Sequence, residues 1–174
     1  MLPTLNGRIQ TRIILLATVG AIWTLIITPV LPTLNGRIQT RIFLLAVVGS
    51  LWTLIITPVL PLGDIPIGTA YRTTFTVLAL TTVLGVLWEL LYHAIQQFRW
   101  EKDWPTIFGL LTAINEGLLV WFLIAGGAIP WIDSLPGPAY VIDFATTWLV
   151  VWLVANGPMR VPFIHWRING GRLI

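Results

Sequence analysis

Residues 2–30 and 31–59 are the same sequence twice, LPTLNGRIQTRIILLATVGAIWTLIITPV followed at once by LPTLNGRIQTRIFLLAVVGSLWTLIITPV, with four differences: Ile14/Phe43, Thr18/Val47, Ala21/Ser50 and Ile22/Leu51. Each copy holds one apolar run long enough to cross a bilayer, preceded by two arginines. Consecutive spans must cross in opposite directions, yet identical charged flanks favour the same direction. The repeat therefore constrains topology before it says anything about chemistry.

Only 10% of the 174 residues are charged and 56% are hydrophobic, with a mean hydropathy of +0.86. Soluble domains carry about 25% charged residues. The apolar runs are continuous rather than alternating, which favours helices over a β-barrel. The expected fold is an all-α integral membrane protein with five transmembrane spans, or four if the first copy does not cross. The spans are expected near residues 13–31, 42–60, 74–95, 107–129 and 139–155. Residues 1–30 read as an appended repeat helix. Residues 31–174 read as a four-span unit ending in a basic, aromatic tail over 156–174.

Charge orients the four-span unit. With its N-terminal flank inside, Arg37, Arg41, Arg99, Lys102, Arg160, Arg167 and Arg172 are cytoplasmic and only Arg72 is outside. This positive-inside pattern puts the C-terminus in the cytoplasm; the expected location is the bacterial inner membrane. A spanning first copy would put Arg8 and Arg12 outside. Membrane burial of its apolar run, at about 0.3–0.6 kcal/mol for each Leu, Ile, Phe or Val, outweighs those two misplaced cations. The copy lacks a small-x-small cleavage site, so it does not read as a signal peptide. Its near-identity reads as a recent duplication or an artefact of the sequence, since transporter inverted repeats hold several helices each.

The pI near 10.0 reflects arginines at span ends, not a nucleic-acid surface. There is no cysteine, which excludes disulfides and thiolate chemistry. P-loop, GxGxxG, HExxH, GxSxG and CxxC motifs are absent, and no enzyme is expected.

Ionisable residues within apolar runs are functional candidates. Glu89 and His93 share a helix face at i,i+4. Glu116, on the following span, falls at the same expected depth, with Asn115 beside it about 100° away around the helix. These residues could form a proton or cation relay, a divalent site, a haem or pigment site at His93, or an interhelical polar clasp. No cofactor is required by the sequence. Asp143 is expected near the outer end of the last span, capping the helix or reaching the headgroups. Trp100, Trp104, Trp131 and Trp166 are expected interface anchors. Arg99, Lys102, Arg160, Arg167 and Arg172 are expected to contact anionic lipid or a partner. The expected role is an accessory or scaffolding subunit whose partners are the bilayer and other membrane subunits. The alternatives are a small proton- or cation-coupled transporter or channel, and a pigment- or haem-binding subunit.

Deleting residues 1–30 should leave insertion and folding of the four-span unit intact, measured by membrane fractionation and thermal melting. Loss of insertion would show that the first copy is integral to the bundle.

Overall fold

The structure is a computed structural model. It describes residues 33–98, 106–132, 135–161, 163, 166 and 171–173. The first copy of the repeat lies outside these residues, as do Arg99, Trp100, Lys102, Trp104 and Arg167.

The chain is an all-α membrane bundle. Four helical segments are long and apolar enough to cross a bilayer: Leu34–Val59, Ile67–Gln96, Phe108–Ala125 and Gly137–Asn156. The first is compound. Helix α1 (Leu34–Leu44) runs into a π-helical turn (Leu45–Gly49), then α2 (Ser50–Ile56), and closes with a 3-10 turn (Thr57–Val59). It is followed by α3 (Ile67–Gln97), α4 (Thr106–Ala125) and α5 (Gly137–Asn156). Each span packs on the next, and α5 returns to the first span through α1, the π turn and α2.

Helix boundaries differ from the apolar runs for local reasons. α1 begins eight residues before the expected start at residue 42, taking in the polar stretch LNGRIQTR. The Thr33 hydroxyl accepts a bond from Gly36 N and caps that first turn. α3 starts directly after Pro66, seven residues early. α4 stops at Ala125, short of the expected 129, because Gly127 takes a left-handed φ of 68°. Ala128 N then bonds Leu123 O and Gly127 N bonds Ile124 O, a Schellman closure.

The π turn changes which residues face inward. Twelve residues separate Arg41 from Thr53, which in an unbroken α-helix places them about 120° apart. One extra residue taken up in a π turn reduces that to about 20°. Arg41 and Thr53 are both directed into the bundle, with side-chain exposure of 9% for Arg41 and residue exposure of 1% for Thr53.

Between helices in lipid, hydrogen bonds and close packing replace the hydrophobic effect as the main source of association. Trp52 Nε1 donates to Thr146 Oγ1, joining α2 to α5. Tyr140 and Trp148 on α5 donate to the carbonyls of Gly117 and Gly109 on α4. Tyr71 on α3 donates to Leu54 O, and the hydroxyls of Thr57 and Thr74 meet at 3.0 Å. The threonines of α3 largely bond their own helix, Thr73, Thr76, Thr81 and Thr82 each donating to the carbonyl four residues back.

The tail folds back on α1. Trp166 is buried with Leu44 and Met159, and its indole donates to Thr40 Oγ1. Thr40 donates to Gly171 O, and Leu173 N to Gln39 Oε1. Trp166, expected as an interface anchor, is thus packed within the protein. Trp131 is 54% exposed, in the loop before α5.

Gly127→Ala forces a Cβ into the left-handed region and should cost about 1–2 kcal/mol. Equilibrium unfolding in detergent checks this; an unchanged midpoint would mean the α4 terminus can relax.

Candidate functional site

Arg41 is the centre of the site. Its Nη1 lies 3.1 Å from Glu89 Oε1 and 3.2 Å from Glu116 Oε1, and its Nη2 pairs with Glu116 Oε2. Arg37, one turn earlier on α1, adds a 3.8 Å contact to Glu89. The two carboxylates come from α3 and α4, so a single guanidinium joins three helices. Glu116 is 2% exposed and Glu89 17%.

The sequence puts Glu89 and Glu116 at a shared depth, and in the structure Arg41 lies at a similar distance from its helix end. Arg41 is seven residues into α1, about 10 Å, and Glu89 eight from the end of α3, about 12 Å. Glu116 is ten residues into α4, about 15 Å. In the sequence Arg37 and Arg41 read as topology anchors in the flank of the first apolar run of the four-span unit. In the structure they lie within a helix and face the carboxylates. The signal that could have found them is the i,i+4 spacing of two arginines beside an apolar run, facing a pair of buried acids.

Charge balance explains why this cluster can be buried. Two arginines meet two glutamates, so the formal charge is zero. An isolated ion in a low-dielectric interior would be strongly disfavoured, whereas a paired and hydrogen-bonded one is tolerated. The fork of the guanidinium suits two oxygens of one carboxylate, as it meets Glu116 here. Its flat face lies 5.1 Å from the Trp148 ring on α5, a cation–π contact that brings the fourth span to the same group. Gly85 on α3 leaves the necessary space: a Cβ there would collide with the Arg41 guanidinium.

The remaining expected residues sit around this centre. His93 is one turn beyond Glu89 and partly buried. Asn115 is exposed overall. Trp88 stacks on Tyr92 with centroids 5.5 Å apart. Among the described residues, no three His, Cys, Asp or Glu side chains gather closely enough to hold a metal ion. Arg172 donates to Thr33 Oγ1 at the end of α1, and Arg160 closes a short 3-10 turn after α5.

Asp143 is a correction. It does not cap a helix or reach the headgroups. α5 begins at Gly137, so Asp143 lies nearly two turns inside it, and it is 2% exposed. The sequence reading assumed that a carboxylate near a span end turns outward; the packing of α5 against the first span turns it inward.

No protein-family description, no curated protein and no solved structure matches this chain.

Replacing Arg41 by Met leaves Glu116 buried beside an apolar side chain and should cost about 3–5 kcal/mol. The combined Arg41→Met, Glu89→Gln, Glu116→Gln variant should recover most of that loss, because no unpaired charge remains. Chemical unfolding in detergent compares the two. Equal stability of the single variant and wild type would remove the triad from the account of folding.

Proposed function

We propose that this chain is an accessory, scaffolding subunit of a larger membrane assembly, with its outward faces against lipid and partner helices. The observation that carries the reading is the use of the intramembrane charges. Glu89 and Glu116 are both tied to arginines from the first span, so they brace the bundle. A relay needs carboxylates that exchange protons or ions in turn, and a carboxylate held by a guanidinium fork is poorly suited to that. The clasp instead fixes the mutual placement of three helices, as a scaffold requires. Large apolar side chains line the outside of the bundle, among them Ile55, Leu87, Leu118, Phe122 and Val141. Lipid and apolar partner helices are both compatible with such faces.

A small cation-coupled transporter is the second reading. It is favoured by Asp143, a buried carboxylate outside the clasp, more than by Glu89, His93 and Glu116. Placement in the bacterial inner membrane with a cytoplasmic C-terminus belongs to the same proposal and rests on the distribution of arginines.

The subunit reading predicts a second chain at fixed stoichiometry after purification in mild detergent. It also predicts that a photocrosslinker at Leu87 or Leu118 captures that chain from one face of the bundle. A lone monodisperse protein that crosslinks only lipid from every face counts against it. A proton or ion flux in liposomes that Glu89→Gln or Glu116→Gln abolishes without loss of folding would favour the relay instead.

A further inference from the structure

Asp143 and Thr147, one helical turn apart on α5, face a small cavity of about 10 Å³ bounded by the first span, α3 and α5. That is room for about one water-sized particle. The other polar residues around it are Thr53 of α2 and Thr81 of α3, with Leu45 of the π turn and Val77 among the apolar ones. All four polar residues are more than nine-tenths buried. Oδ1 of Asp143 and Oγ1 of Thr147 have no hydrogen-bond partner among the described residues.

The donor and acceptor inventory of this cavity is lopsided. The Thr81 hydroxyl proton is directed to Val77 O at 2.8 Å, so towards the cavity Thr81 offers only lone pairs. Trp148 also borders the cavity, but its indole N–H is engaged by Gly109 O. Among the described residues, no lysine, arginine, histidine or amide side chain lines the space. A carboxylate and hydroxyl oxygens therefore converge on a space one particle wide, with no cationic side chain lining it among the described residues. A buried carboxyl in such surroundings either keeps its proton or is answered by a cation.

We propose that this cavity is a binding site for a single dehydrated monovalent cation of sodium size, coordinated by the Asp143 carboxylate and the hydroxyls of Thr147, Thr81 and Thr53. Hard oxygen donors suit alkali and alkaline-earth ions. One carboxylate neutralises a monovalent ion, whereas a divalent ion would leave an uncompensated charge in the bundle. The π turn bears on the site because Leu45 borders the cavity and the extra residue turns Thr53 towards it. The bound ion would join the first span, α3 and α5, a different set of helices from those joined by Arg41. The site stands independently of the scaffolding reading, since a subunit or a transporter could hold such an ion.

The test is sodium binding to the purified full chain in detergent or nanodiscs. Radioactive sodium should bind at one ion per chain and be displaced by unlabelled sodium but not by choline. The melting temperature should rise in NaCl relative to choline chloride of equal ionic strength. Asp143→Asn, of the same size, should abolish both effects, and Thr147→Val should weaken binding at least fivefold while the melt in choline stays close to wild type. Absence of sodium binding by the wild-type chain overturns the proposal, as expected if Asp143 simply carries a proton. Retention of full sodium binding in either variant also overturns it. The wild-type measurement decides even if a variant fails to fold.

Discussion

A guanidinium inside a membrane bundle is tolerated only if its charge is answered at short range. Arg41 meets that condition through Glu89 and Glu116, with Arg37 balancing the second carboxylate. Much of the architecture is consistent with this requirement. α1 extends well before its apolar run, so that the arginine is helical and its position fixed. Gly85 leaves room for the side chain on α3, and Trp148 presents a ring face from α5. Removing one partner would leave a buried charge unanswered, which is why the cluster behaves as a unit rather than as a sum of pairs.

Above this charged layer, α4 and α5 share an aromatic ladder. Trp121 of α4 and Tyr140, Phe144 and Trp148 of α5 follow one another with ring centroids 5.0–5.7 Å apart. The ladder ends at the ring beneath Arg41. Phe144 and Trp148 also border the cavity beside Asp143, and Trp148 touches both that cavity and the guanidinium of the clasp. Lipid offers no hydrophobic reward for bringing helices together, and stacking, threonine hydroxyls and indole-to-carbonyl bonds supply the specificity instead. The tail contributes at the other end of the first span, where Trp166 and Thr40 tie it to α1.

The fold was largely legible in the sequence. Continuous apolar runs separated by Pro-, Gly- and charge-bearing loops are a strong signal, and four of the expected spans are helices in the structure. Their ends were less legible. Thr33 capping and the left-handed Gly127 are single-residue effects that an apolar-run reading passes over. The shared depth of Glu89 and Glu116 followed from topology and rise per residue, and the structure brings the two together. What joins them did not follow. Arginines at the edge of a span look alike in sequence whether they face headgroups or acids, because the deciding quantity is the direction of the side chain around the helix. Asp143 was misjudged for the same reason.

The sequence by itself determined that the chain is a helical membrane protein, where four of its spans run and which few ionisable groups must be accommodated among them. Those are consequences of hydropathy and of a fixed rise per residue, which do not depend on neighbours. Only the tertiary structure decided that Arg41 binds both glutamates, that Asp143 turns inward, and that the repeat's second copy carries a π turn. Each depends on rotation of one helix relative to others. That rotation is set by packing and charge pairing between segments far apart in the chain, which a local pattern does not encode.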